Sequence, residues 1–371
     1  MPRPIVATIH LPALQHNLAQ LRQRAGTARV WGVVKANAYG HGITRVWPAL
    51  RAADGLACLD LDEAKLLREL GWRGPLLLLE GTFEPRDLEL CSTLQLWHVV
   101  HHAEQLDWLA AHKTQQPHHV FLKFNSGMNR LGFDAPGLRA AWARLHAMPQ
   151  VQGVTLMTHF ANADRPDGIE AALRAWRLAT EGMQAPLCLA NSAATLGHAA
   201  ATAADWVRPG IALYGAAPDA PTHRAADWGL QPAMTLASQL IATQTLAAGA
   251  QVGYGGTYTA PKPTTMGVVA CGYADGYPRH APNGTPVLVQ GVRCPLIGRV
   301  SMDMLAVDLA PVLAQGQPVG VGSEVVLWGR SRSGAELPID EVAQAAQTIA
   351  YELMCALAPR VRVIVEHQES T

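Results

Sequence analysis

A (β/α)₈ barrel of the TIM type followed by a mostly β C-terminal domain is the fold class this sequence predicts, and two patterns predict it. From residue 30 to about 215, short apolar runs alternate with amphipathic helical stretches. That alternation marks a parallel sheet, and about eight repeats over roughly 200 residues suit a closed barrel better than an open sheet. Beyond about residue 230 the pattern becomes short strands punctuated by glycine turns, which reads as β structure.

Met1–His10 reads as a strand centred on Ile5–Ile9. It lacks the long apolar core of a secretory signal, so a cytoplasmic protein is expected. A helix bearing Leu14, Leu18 and Leu21 follows. The barrel strands are expected at Val30–Val34, Leu56–Leu59, Leu76–Leu79, Leu96–Val100, Val120–Phe124, Val154–Thr158, Leu187–Ala190 and Val207–Leu213. Between them, Glu63–Leu70, Glu104–Ala111, Leu138–Met148 and Glu170–Gly182 carry apolar residues at helical spacing. The period breaks near Asp219–Trp228. Strands are then expected at Leu236–Thr243, Met266–Cys271, Pro286–Val289, Ala306–Asp308 and Glu324–Leu327, with one helix at Glu341–Ala350. The predicted domains are a barrel over residues 10–230 and a mostly β domain over 231–371, joined by the opening strand 1–9.

Composition narrows the function. The 29 basic and 29 acidic residues give zero net charge, with no Lys/Arg block, so neither nucleic acid nor an anionic membrane is an expected partner. No apolar run reaches the length of a membrane span. The six cysteines are scattered without C-x-x-C spacing and read as buried small hydrophobes. The histidine pairs His101-His102 and His118-His119 lie on strand-like runs. Neighbours on a strand face opposite ways, so no metal site is expected.

The run Val33-Val34-Lys35-Ala36-Asn37-Ala38-Tyr39-Gly40-His41-Gly42 places a lysine at the end of an apolar strand. An ammonium there is rejected unless it is paired or chemically used, and a neutral lysine amine forms Schiff bases with carbonyl cofactors. Barrel enzymes carry reactive residues at the C-terminal ends of their strands. Lys35, His159 and Asn191-Ser192 follow predicted strands, Lys123 sits at the end of the fifth and Arg208 lies in the eighth. Backbone N–H groups of Gly210 and Ile211, in a turn after a late strand and beside Ser192, suit a phosphate. A Schiff-base lysine with a phosphate cradle suggests pyridoxal 5′-phosphate.

Six runs carry a family resemblance: Val33–Gly42, Leu122–Gly132, Val207–Ile211, Tyr254–Tyr258, Gly272–Tyr277 and Ser301–Asp303. Through them the chain resembles the alanine racemases, barrel-type pyridoxal phosphate enzymes, over nearly its whole length. The resemblance implies an isomerase that interconverts L- and D-alanine by two bases, supplying or degrading D-alanine for peptidoglycan metabolism. It makes Lys35 the Schiff-base lysine and the base on one face of the α-carbon. Tyr254 becomes the opposite base, contributed by the other subunit of a homodimer with shared sites. A phenol ordinarily keeps its proton to about pH 10, and His159 with Arg208 are the groups that would relay and polarise.

Arg208 also resembles the family's arginine at the pyridine nitrogen; it can only donate there, which weakens the electron sink and limits transamination. Phosphate contacts are implied for Tyr39, Ser192, Gly210, Ile211 and Tyr351. Arg130, Met302 and Asp303 are implied at the substrate carboxylate, and Tyr273 at the entrance. Lys123 matches a lysine commonly carbamylated in the family, an anion that would hold Arg130. Asn125 replaces an expected aspartate, and Asn129 stands where glycine is frequent.

Two other readings compete. A barrel-type pyridoxal phosphate decarboxylase would need a catalytic cysteine, for which Cys271 or Cys294 would serve, and a glycine-rich phosphate loop that is missing. A non-catalytic pyridoxal phosphate carrier would need no second domain bearing Tyr254.

Overall fold

The computed structural model describes residues 3–114 and 116–367. Met1 and Pro2 of the opening run, and residues 368–371 at the end of the second predicted domain, lie outside the described residues. The chain divides into two compact units. One comprises Gln15–Ala38 and Gly42–Leu213; the remaining described residues, among them Tyr39–His41, form the other.

After the opening strand β1 (Val6–His10), eight parallel strands close the barrel of the first unit. They are β2 (Arg29–Val33), β3 (Gly55–Cys58), β4 (Leu76–Leu78), β5 (Trp97–Val100), β6 (His118–Lys123), β7 (Val151–Met157), β8 (Leu187–Cys188) and β9 (Trp206–Val207). Closure follows from β9 pairing with β2 at Arg29↔Trp206 and Val30↔Val207. Both faces of such strands are covered, which is why they read as continuous apolar runs. Aromatic rings fill the barrel near the strand starts: Trp31 stacks on Trp206 at 4.2 Å, and Trp97 meets Trp31 edge-on at 5.6 Å. That end is packed shut, so chemistry belongs at the strand ends.

The second unit holds β1, which pairs antiparallel with β10 (Met234–Leu246) and parallel with the last strand. The chain continues through β11 (Gln251–Val252), β12 (Tyr258–Thr259), β13 (Thr264–Val269), β14 (Pro286–Val289), β15 (Val292–Ile297), β16 (Leu305–Asp308), β17 (Glu324–Arg330), β18 (Glu336–Leu337) and β19 (Arg362–Glu366). Because β10 pairs with β17 as well as with β13, the run β10-β13-β16-β15-β14-β17 forms a closed circuit of pairings.

Two local expectations are corrected. Of the eighth run only Val207 is strand, with Trp206 before it; Ile211–Tyr214 is a 3₁₀ turn, as Pro209-Gly210 ends the ladder. The single helix expected at Glu341–Ala350 is two, Ile339–Ala345 and Ala350–Cys355. Gln347 between them has φ +56°, and Thr348 N–H bonds back to the Ala343 carbonyl at 2.9 Å.

A buried chain of neutral rings joins β5 and β6. His98 Nε2 lies 3.1 Å from His118 Nδ1, and Ser92 Oγ lies 3.3 Å from His118 Nε2 and 3.1 Å from His112 Nε2. Burial, aided by the neighbouring rings, pushes His98 down to about 3 and His118 to about 4. The unfolded chain takes up these protons from about pH 6.5 downward while the folded one resists. Stability is therefore expected to fall between pH 6.5 and 4, by up to about 1.4 kcal/mol per pH unit per histidine. Urea midpoints across that range check it; a His98→Phe variant should show a shallower slope, and an identical slope would refute the assignment.

Candidate active site

Pairing continues to the residue before the lysine: Val34 N–H bonds the Ala57 carbonyl at 2.8 Å. Lys35 then leaves the barrel half-buried. Ala36, Asn37, Ala38 and Tyr39 all adopt left-handed φ values of +54°, +52°, +56° and +51°. Such a turn costs roughly 1–2 kcal/mol per non-glycine residue, so its surroundings must impose it. Ala38 N–H bonds the Val34 carbonyl at 2.7 Å, and Gly42 N–H the Asn37 carbonyl at 2.8 Å. Asn37 Oδ1 accepts the Ile43 N–H at 2.9 Å, and the Asn37 N–H donates to Glu63 Oε1 at 2.8 Å.

Beyond the turn, Gly40 has φ +77°, and a Cβ there would lie 2.1 Å from the Met354 carbonyl oxygen. That close approach sets Tyr39 against Tyr351, with ring centroids 5.9 Å apart, and Tyr39 also stacks on Tyr214 at 4.8 Å. Burial, then the neighbouring Tyr351 and Cys355, push the Tyr39 phenol far upward, so its hydroxyl stays protonated. Gly40→Ala is expected to cost about 2 kcal/mol or more and to weaken pyridoxal phosphate binding at least about tenfold. Thermal melts and a cofactor titration check this; unchanged values would mean the segment tolerates a side chain.

The other strand ends converge. Lys123 closes β6, His159 follows β7, and Lys123, Arg130 and His159 line one small cavity. Arg208, just after β9, is buried and held by neutral acceptors. Its Nη1 donates to the Cys188 carbonyl at 2.7 Å and to Cys188 Sγ at 3.1 Å. Its Nη2 donates to the Thr158 carbonyl at 2.7 Å and lies 3.5 Å from His159 Nδ1. Burial, then Arg208, Lys123, Arg130 and Lys35, push His159 down to about 3, leaving its ring neutral at working pH. Burial, then Arg208 and Arg130, push Lys123 down to about 8, with Glu80 opposing.

The two departures from the family runs prove conservative. Asn125 Oδ1 accepts the Gly127 N–H at 3.1 Å and the Asn129 N–H at 2.9 Å, as a carboxylate would. Asn129 has φ +56°, a conformation asparagine tolerates better than other side chains.

Ser192 begins the short helix Ser192–Gly197, whose N-terminus Asn191 Oδ1 caps through the Ala194 N–H at 3.0 Å. Ser192 Oγ accepts the N–H of Gly210 at 2.8 Å and of Ala212 at 3.3 Å. The expected Gly210 N–H is thus taken by the serine, whose own hydroxyl proton remains to donate.

In the second unit, Tyr254 sits on a turn between β11 and β12, 72% exposed, with Gly253 and Gly255 at φ +71° and +75°. Tyr273, Met302 and Asp303 form a separate group, zipped by Tyr273 N–H to the Ser301 carbonyl and Ala274 N–H to the Met302 carbonyl, both 3.0 Å. Asp303 Oδ1 accepts from Arg360 at 2.6 Å and Arg3 at 3.1 Å. Sequence reasoning missed the residue beneath them, Asp275, fully buried between Arg3 and Arg360. It also missed Glu63, although Asp60 and Glu63 have capping-box spacing.

A closed barrel with a lysine, a neutral histidine and several cations at its strand ends defines a barrel enzyme built for an anionic carbonyl cofactor. Residues 9–218 match the model of the alanine racemase N-terminal domain, and 233–365 that of the C-terminal domain. The alanine racemase of Acidovorax ebreus is 65% identical over 99% of this chain and 100% of its own. The crystal structure of biosynthetic alanine racemase from Pseudomonas aeruginosa is 46% identical, with TM-score 0.92 over 98% of this chain and 100% of that one. That of alanine racemase from Bartonella henselae with covalently bound pyridoxal phosphate is 25% identical, with TM-score 0.87 over 98% and 100%.

The chain belongs to the alanine racemase family. Its activity is the pyridoxal phosphate-dependent interconversion of L- and D-alanine. The decarboxylase and carrier readings fall, since both domains match over their length. Lys35, the uncompensated Arg208 and the Ser192 hydroxyl fit a phosphorylated aldehyde. Among the described residues no helix is long and apolar enough to cross a membrane.

Proposed function

We propose that Lys35 and Tyr254 are the two bases, that Tyr254 comes from the partner subunit of a homodimer, and that residues 10–230 bind the cofactor while the remainder supplies the second base. Pyridoxal 5′-phosphate, when bound, acidifies the α-proton of an attached amino acid and stores the electrons left behind. Lys35 would hold the cofactor through its aldehyde carbon, and its amine would take or return a proton on one face of the α-carbon. Tyr254 would give up or take a proton on the other face, one base donating as the other accepts, as inversion by proton exchange requires. His159, kept neutral, relays protons beside Arg208. Arg208 donates toward the pyridine nitrogen without giving up its own proton. Ser192, whose hydroxyl the Gly210 N–H orients, holds the phosphate with Ile211, Tyr39 and Tyr351, while Arg130 and the Met302 N–H hold the substrate carboxylate, with Asp303 beside them and Tyr273 at the entrance.

The observation that carries this reading is the cationic group at the barrel's strand ends, with one opposing carboxylate at Lys123. Lys123, lowered to about 8, presents enough neutral amine to add carbon dioxide. The resulting carbamate anion would sit against Arg130. The exposure of Tyr254, Met302 and Met304 in the single chain supports a covering second copy. The absence of any disulfide among the described residues, six cysteines included, supports a cytoplasmic enzyme.

Incubation with L-alanine should yield D-alanine, and borohydride should fix the cofactor on Lys35, read by peptide mass spectrometry. Label on another lysine would refute the assignment. Removing bicarbonate is expected to lower kcat several-fold, restored on adding it back; an unmodified Lys123 in fully active enzyme would overturn the carbamate.

A further inference from the structure

Lys35 is followed by a left-handed turn, exposed at Ala36 and Asn37 and buried at Ala38 and Tyr39, and a side chain outside the run bonds that turn. The half-buried Glu63 carboxylate accepts the Asn37 N–H through Oε1 at 2.8 Å. Through Oε2 it accepts the Leu59 N–H at 3.1 Å and the Asp60 N–H at 3.5 Å. One carboxylate thus bridges the segment after β2 to the segment after β3, on the two neighbouring strands that pair at Val33↔Ala57. Bonds within the Val34–Ile43 segment, among them Ala38 N–H to the Val34 carbonyl and Ile43 N–H to Asn37 Oδ1, fix the shape of the turn, and Glu63 ties its Asn37 corner to the segment after β3.

We propose that Glu63 is a positioning residue for Lys35, acting by anchoring the backbone N–H of Asn37; this rests on Lys35 as the reacting lysine. Asn37 is exposed, so water replaces the carboxylate when it is removed. Little stability is then lost at the turn, and what is lost is the placement of the amine. Misplacement by about 1 Å costs a reacting group up to about 100-fold.

The test compares Glu63→Ala with Asp60→Ala, which removes the side-chain cap of the same helix (Asp60 accepts the Asp62 N–H at 2.8 Å) but makes no bond to Asn37. In the holoenzyme, Glu63→Ala should lower kcat roughly 10- to 100-fold with KM within about threefold. In the cofactor-free protein, amide exchange across residues 34–42 should rise at least about tenfold. Asp60→Ala should lower Tm comparably yet keep kcat and that exchange near the parent values. Unchanged kcat, unchanged exchange, or an Asp60→Ala variant equally impaired in kcat would overturn the proposal. Should Lys35→Ala retain turnover, the lysine assignment fails instead, while the exchange comparison still reports on the anchor.

Discussion

Lys35→Ala is expected to lower racemisation by roughly 10⁴-fold or more, because the covalent tether and one of the two bases vanish together. A loss of 10⁴ corresponds to about 5.5 kcal/mol of barrier, more than any repositioned water at the strand end would recover. The fold should survive: the barrel ladder is complete at Val34, and the bonds that shape the following turn run from Val34, Asn37, Gly42, Ile43 and Glu63. An unchanged melt beside lost D-alanine formation is the expected pair of results. An added small amine should restore part of the activity by standing in for the side chain. Near-normal turnover without added amine would remove Lys35 from the mechanism.

Tyr254→Phe should be nearly as damaging to racemisation, by about 10²- to 10⁴-fold, and the damage should be one-sided. α-Proton exchange from L-alanine should suffer most with Tyr254→Phe, and from D-alanine most with Lys35→Ala. Tyr254 is 72% exposed on a glycine-flanked turn, so loss of its hydroxyl should leave stability untouched. Mixing the two variants tests the shared site. If each site takes Lys35 from one chain and Tyr254 from its partner, a heterodimer has one intact and one doubly broken site. Random exchange makes about half the dimers mixed, so about a quarter of parental activity should return. Confirmed exchange with no activity would mean that each chain completes its own site.

Local patterning carried the barrel into view, because parallel strands covered on both faces must be apolar throughout and their crossovers must be amphipathic. The same logic put Lys35, Lys123, His159 and Arg208 at strand ends, since a charge at the close of an apolar run is informative by itself. Short or irregular pieces resisted. The strand β15 (Val292–Ile297) and the terminal β19 went unread, and the helix broken at Gln347 read as continuous, because its φ of +56° leaves no mark in the composition.

By itself, then, the sequence determined the order of elements, the strand-end lysine and the family runs, all properties of residues near one another along the chain. Tertiary structure alone decided how those groups behave. The left-handed turn after Lys35 is built mostly from alanine and tyrosine, which disfavour it, and its Asn37 is bonded by a carboxylate 26 positions away. Arg208 is held by carbonyls on neighbouring strands, up to 50 positions distant. His159 is neutral because burial and four cations from separate segments surround it. Asp275 lies buried between arginines 272 and 85 positions away. Each depends on distances between residues remote in sequence, set only when the strands pair and the chain packs.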